Sequence, residues 1–257
     1  MNKITKKFLG KGPFTFQDLY QAFKGENERK TLHNYLYMGL KRGYVKPIKR
    51  GLYYVVLPTD EKTEFTPDPF LVAAKLAPDS ILAFHSALEL HGAAYSYSHR
   101  VYFYSKTQTR RFEFRDVEYV PVQKKITWGV TTLEREGCTL KLTDRERTVL
   151  DCLDVADYAG GLEELVKSLD LLPSLDLERL KIYLGKADRW VLFAKTGFLL
   201  EHFKTRWNVP EVFLAALEKK VRGKEARYFC AKIGSGKFVS RWNLILPRNF
   251  NSLLQAA

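Results

Sequence analysis

The segment 33-HNYLYMGLKRGYVKPIKRGLYY-54 alternates aromatic rings with lysine and arginine and turns on two glycines. It is either a solvated basic face over a small core or a surface that lies against polyphosphate. Its periodicity sets the frame. Taken back to Asn27, the apolar residues Leu32, Tyr35, Leu36, Gly39 and Leu40 share one face of a helix running to about Arg42. Lys30, Asn34, Tyr37 and Lys41 fall opposite, with Arg29 and His33 flanking. That outer face carries no acidic residue, whereas an ordinary solvated helix mixes both signs. Gly43 ends the helix. Tyr44 to Ile48 then reads as a short strand, Lys49-Arg50-Gly51 as a tight turn and Leu52 to Leu57 as the returning strand. Pro47 has no amide hydrogen to give, which confines the first strand to a sheet edge.

Upstream, Phe14-Thr15-Phe16-Gln17-Asp18-Leu19 reads as a helix start: Thr15 caps, Asp18 complements the helix dipole, and Phe14 staples onto Leu19. This helix buries Phe16, Leu19, Tyr20 and Phe23 and stops at Gly25. Helix, short turn, helix and basic hairpin is the order of a winged helix-turn-helix, expected over residues 1–57. Its outer helix would enter the major groove of DNA, with Arg29 and Asn34 in reach of base edges. Lys46, Lys49 and Arg50 on the wing would hold phosphates, which give affinity and register without sequence information. With Lys30, His33, Tyr37 and Lys41 these residues form the expected DNA-binding set. The competing reading of the same segment is a basic subdomain that docks another protein.

Charge separates the two. The chain of 257 residues has 42 Lys and Arg against 29 Asp and Glu, a net of +13, and a pI near 9.5. Residues 1–57 hold 12 basic and 3 acidic side chains, and the remaining 200 hold 30 and 26. A basic surplus gathered at one end points to a polyanionic partner, nucleic acid before membrane. The helix suits the wide major groove of duplex DNA and not the narrow one of A-form RNA. There is no apolar run of about 18 residues and no signal-peptide core, so neither a membrane span nor a membrane partner is expected and the compartment is read as cytoplasmic. Cys138, Cys152 and Cys230 are odd in number and widely spaced, which argues against a disulfide framework or zinc finger.

Residues 58–67 are polar and flanked by proline, the composition of a linker. Asp68-Pro69 opens a helix to about Ala77, and a further helix is expected from Ser80 to His91. Strands follow at Val101–Ser105 and Arg111–Val122, with a hairpin of 129–133 and 139–142 turning at Arg135-Glu136-Gly137. Thr143-Asp144-Arg145-Glu146 reads as a capping box for a helix carrying Val149, Leu150 and Leu153. Beyond Gly160-Gly161 the expectation is helices at 162–171, 177–184, 190–203 and 211–221, then strands at 227–231 and 238–246. The predicted class is therefore α+β: an N-terminal winged helix-turn-helix followed by a larger mixed α/β domain, residues 68–257, with a helical C-terminal part.

The winged-helix stretch ending in Arg50-Gly51-Leu52-Tyr53, the helix with Ser86-Ala87-Leu88-Glu89-Leu90-His91-Gly92, and the segment Thr143 to Leu153 together resemble the AbiEi-type antitoxins. These are the transcriptional-regulator half of type IV toxin–antitoxin and abortive-infection systems. The likeness spans roughly residues 14–155. It implies a repressor of its own operon that binds operator DNA and opposes a nucleotidyltransferase toxin, without need of a stable complex. Carried over by position, the DNA-reading helix falls on Arg29 to Lys41 and the wing on Lys46 to Gly51.

No catalytic residue, metal site or cofactor is predicted. His85 and His91 are six apart, on different faces of a helix, and read with His99 and His202 as satisfied core or surface histidines. Gly234-Ser235-Gly236-Lys237 lacks the first glycine of a phosphate loop and has Phe238 where a metal-binding hydroxyl belongs. Asp116 and Glu118 lack the acid-x-Lys spacing of a nuclease strand and read as a solvated edge. Arg145 and Arg147 beside Glu146 fit a structural ion pair or a contact patch equally. Two rival functions stand beside the antitoxin reading: a winged-helix regulator unrelated to a toxin, and an enzyme that processes nucleic acid.

Overall fold

Thr15 and Asp18 close the N-terminus of a helix that begins at Phe16. The Thr15 hydroxyl accepts from the Asp18 amide at 3.2 Å while Asp18 accepts from the Thr15 amide at 2.8 Å, a closed capping box. The computed structural model describes residues 3–24, 28–56, 65–230, 236–248 and 250. The expected helix stop at Gly25 and most of the linker 58–67 lie outside the described residues. The chain separates into two compact units that interleave along the sequence. One comprises Met1–Leu82, His99–Ile126 and Thr131–Leu142, the other Ala83–Ser98, Thr127–Val130 and Thr143–Ala257. Helices and strands are mixed throughout, so the class is mixed α/β.

In the first unit the order is α1 (Lys3–Phe8), β1 (Phe14–Thr15), α2 (Phe16–Ala22), α3 (Arg29–Lys41), β2 (Val45–Lys49) and β3 (Leu52–Val55). The strands form an antiparallel sheet in the order β1-β3-β2, with Thr15 opposite Leu52 and Lys46 opposite Tyr54. Pro47 therefore sits on an edge strand, beside a register shift between Pro47 and Lys49. Ile4, Phe8, Phe14, Leu19, Leu32, Leu36 and Val45 close one core over this sheet. The helix α1 has no counterpart in the sequence reading; its six residues are too few to show a period.

The same unit continues with α4 (Pro69–Leu76), whose N-cap Asp68 accepts from the amides of Phe70 and Leu71. A six-stranded mixed sheet follows, in the order β6-β7-β5-β4-β9-β8. Its strands are β4 (Ile81–Leu82), β5 (Arg100–Ser105), β6 (Phe112–Phe114), β7 (Val117–Gln123), β8 (Val130–Arg135) and β9 (Cys138–Thr143). Residues 101–105 of β5 are all buried, as expected of an interior strand covered on both faces. Two expectations are corrected here. The helix expected over Ser80–His91 is a strand followed by a short helix: Leu82 pairs with Phe103 and Leu142, and Phe84 turns the chain at φ 55°. A short apolar run does not distinguish a buried strand from a buried helix by periodicity. The single strand expected over Arg111–Val122 is a hairpin turning at Arg115, φ 53°, so Phe112 lies opposite Tyr119.

The second unit is built on α5 (His85–Leu90), α6 (Arg145–Asp154), α7 (Leu162–Leu171), α8 (Leu177–Ala187), α9 (Trp190–His202) and α10 (Glu211–Val221). The cap of α6 is Asp144, which accepts from the Arg147 amide at 2.9 Å, and not Thr143, whose hydroxyl meets that of Thr148. The unit closes with β10 (Arg227–Tyr228), β11 (Gly236–Val239) and β12 (Leu244–Pro247), in the order β10-β12-β11. Ahead of β12, Arg241 joins Glu201 of α9 to Glu211 and Glu218 of α10. Trp242 is fully buried against Gly197. Among the described residues no helix is long and apolar enough to cross a membrane, and the three cysteines are free thiols.

Candidate nucleic-acid interface

The helix α3 has two chemically distinct faces. Leu32, Leu36 and Gly39 are buried and Tyr35 and Leu40 half-buried, which fixes its roll on the core. The six residues singled out on the other face, Arg29, Lys30, His33, Asn34, Tyr37 and Lys41, are all exposed. No acidic side chain lies anywhere in the helix. Tyr37 exposes 61% of its surface, far more than a tyrosine with a packing role.

Two members of this set are held in place by α2. The His33 ring stacks on Phe16 at 3.9 Å with planes 15° apart. The Arg29 guanidinium lies 5.7 Å from the Phe16 ring and 6.0 Å from that of Tyr20. The capping box therefore does more than start a helix: it sets Phe16, on which both groups rest. Asp18 is also paired with Lys75 at 2.8 Å. Burial works against its charge, but the Lys75 and Thr15 hydrogen bonds win and hold the carboxyl below its ordinary range.

The hairpin contributes its three cations differently. Lys46 and Arg50 are exposed, and Gly51 at φ 85° supplies the turn that presents Arg50. Lys49 is half-buried with its ammonium 5.7 Å from the Phe112 ring, and burial pushes its pKa down. It is thus partly committed to packing. Sequence reasoning passed over α1, which adds basic groups to this unit: Lys3 lies over Tyr35 at 5.5 Å and Lys7 over Phe23 at 5.7 Å. The signal was the surplus of lysine in 1–11, visible without any helix period.

The Ser86–Gly92 segment belongs to the second unit, and its neighbour His85 explains it. Both His85 nitrogens face carboxylates, Nδ1 with Glu89 at 2.9 Å and Nε2 with Glu164 at 3.2 Å. Burial opposes a charge on this ring, but the two carboxylates prevail and raise its pKa. Glu164 accepts further from the amides of Tyr95 and Ser96 and from the hydroxyls of Ser96 and Ser168, and its pKa is lowered. His91 Nε2 reaches the Thr143 carbonyl at 2.8 Å, joining this segment to the start of α6. In α6 itself Arg147 is buried between Asp151, at 2.7 Å, and the Trp128 ring, 3.7 Å from the guanidinium carbon. Arg145 is exposed. Arg147 thus has a structural role, its ion pair being with Asp151, while Glu146 is paired with Arg179 at 3.5 Å.

Among the described residues no group of three or more His, Cys, Asp or Glu side chains is placed to hold a metal ion. Glu118 is paired with Arg100 and Arg111, and Asp116 sits exposed at the β6–β7 turn. Gly236 and Lys237 lie in β11 opposite Pro247 and Leu246, while Gly234 and Ser235 lie outside the described residues.

No family model matches the chain, and no curated protein matches it. Its fold is similar to the crystal structure of the RV2827C protein from Mycobacterium tuberculosis, with a TM-score of 0.63 over 95% of this chain and 89% of that one. The two are 16% identical, so the likeness is one of fold.

Proposed function

We propose that the segment from α1 to β3 is a winged helix-turn-helix that binds duplex DNA, and that the protein is an operator-binding repressor of the antitoxin kind. The observation that carries the DNA reading is the outer face of α3, which presents Arg29, Lys30, His33, Asn34, Tyr37 and Lys41 to solvent without one acidic side chain. The order of three helices and three strands, with the basic β2–β3 hairpin at the sheet edge, supports it. In this reading α3 enters the major groove. Asn34 meets a base edge, and Lys30, Lys46 and Arg50 hold phosphates.

The second part of the reading, opposition to a nucleotidyltransferase toxin, rests on the likeness of 86–92 and 143–153 to the AbiEi-type antitoxins. The decisive test of the first part is binding of the full chain to its own upstream DNA against a scrambled duplex. We expect a preference of at least a hundredfold that weakens with salt. Equal binding to both duplexes removes the repressor. The toxin is tested by co-expressing an adjacent nucleotidyltransferase gene with and without this chain, growth being restored only in its presence.

A further inference from the structure

The first unit contains a cleft of about 450 Å³ that the DNA reading does not use. It is walled by α2, by α4 with the turn after it, and by β9. Its size lies within the roughly 300–1,000 Å³ of small-molecule sites. Pro13, Leu71 and Leu140 give it an apolar wall, and all three are buried. Its charged lining is Asp18, Lys75 and Lys141. Asp18 and Lys75 neutralise each other. Lys141 is exposed and has no ion-pair partner among the described residues, which leaves the cleft one positive charge in surplus.

A second feature points independently to a ligand. Ser80 also lines the cleft and is 6% exposed, yet its hydroxyl has no hydrogen-bond partner among the described residues. A buried hydroxyl left without a partner is destabilising, and a bound polar group that reaches it recovers the loss. An apolar wall, one surplus ammonium and one waiting hydroxyl together describe the complement of a small organic monocarboxylate.

We propose that this cleft binds such a carboxylate, its charge on Lys141, its carbon body on Leu71 and Leu140, and a polar atom on Ser80. The site reports to the DNA-reading elements through Asp18. Lys75 holds Asp18 Oδ1, and Oδ2 accepts from the Thr15 amide and hydroxyl. A carboxylate held by Lys141 shares the cleft with the Lys75 ammonium and competes with Asp18 for it, which weakens the hold on Asp18. That shifts the α2 capping box, and with it Phe16, on which His33 and Arg29 rest. This coupling, though not the site itself, depends on the DNA-binding reading above.

The test uses the full chain, labelled for amide NMR, with benzoate and hexanoate as probes and benzyl alcohol and hexanol as their uncharged counterparts. We expect saturable shifts at Thr15–Asp18, Ala74–Ser80 and Cys138–Lys141, at least tenfold weaker with the alcohols. Lys141→Gln is expected to weaken carboxylate binding at least tenfold without changing the alcohols, and Ala74→Trp, which fills the cleft, to abolish both. Shifts that never saturate, that fall elsewhere, or that survive Lys141→Gln unchanged overturn the site. Saturating benzoate is then expected to change affinity for upstream DNA at least threefold, an effect missing in Lys141→Gln. Saturated binding with no change in DNA affinity overturns the coupling. A chain that shows no DNA binding at all while its carboxylate shifts persist refutes the repressor and leaves the site standing.

Discussion

His85 shows how one side chain can make a polar core depend on pH. It is 1% exposed and bridges two carboxylates, so its imidazolium is the form the fold stabilises. Its folded pKa is raised above the ordinary histidine value of about 6.5. A group raised in this way contributes stability that is fully present below about pH 6.5 and is lost as pH climbs through the raised value. His85→Gln is therefore expected to cost about 2–3 kcal/mol at pH 6, since hydrogen bonds to charged partners are worth about 1.5–3. The gap between wild type and variant in urea midpoint should narrow as pH rises above about 6.5; a gap that stays constant would show the ring to be neutral. Gly197 makes the opposite kind of statement, one of space alone. A Cβ there would meet the Trp242 ring at 2.1 Å inside the core. Gly197→Ala should cost about 3 kcal/mol, at the upper end of overpacking. Trp242→Leu, itself destabilising, should make the alanine nearly harmless, a coupling that a double-mutant cycle in urea reads directly.

At the scale of the element, α3 is the best test of what the sequence could carry. Its apolar period predicts which residues meet the core, and Leu32, Leu36 and Gly39 are indeed buried while Lys30, Asn34 and Tyr37 are not. A thirteen-residue amphipathic helix has period enough to be legible. The strand at Ile81–Leu82 did not, because two buried apolar residues have no period, and what makes them a strand is Phe103 and Leu142 from distant sequence. The cap of α6 failed for a nearer reason: Thr143 and Asp144 are both good caps, and Thr143 is drawn into β9. At the candidate interface the exposed cations were readable as a charge bias, whereas the stacking of His33 on Phe16 and the half-burial of Lys49 against Phe112 were not. Both depend on packing between elements. The exposed face of α3 yields a prediction of its own. Asn34→Ala should lower discrimination at one base pair by about 1–3 kcal/mol while leaving binding to random DNA intact. Competition with single-base operator variants measures it, and a uniform loss at every position would move Asn34 from base reading to phosphate contact.

For the molecule as a whole, the question is whether its charge is general or aimed. A surplus of 12 basic over 3 acidic side chains in 1–57 against 30 over 26 in the rest is a strong bias, yet both regions display exposed lysine and arginine. Much of the later charge is already engaged. Arg206 pairs with Asp170, Arg189 with Asp154 and Lys204 with Glu211, and Arg241 holds three glutamates. On α10, Lys219 and Lys220 occupy the last turn, where a cation is favoured by the helix dipole without any partner. Lys30, Lys46 and Arg50 have no such explanation, being exposed and without an ion-pair partner among the described residues. Each phosphate they neutralise releases counterions and adds about 0.9 to the slope of log affinity against log salt. The triple change Lys30→Ala, Lys46→Ala and Arg50→Ala should therefore flatten that slope by about 3 and weaken upstream and scrambled DNA alike. The matched triple of Lys219→Ala, Lys220→Ala and Arg222→Ala removes the same formal charge and should leave the slope within experimental error. Equal flattening by both triples would make the attraction a property of net charge, and the outer face of α3 would lose its claim to be the surface that meets DNA.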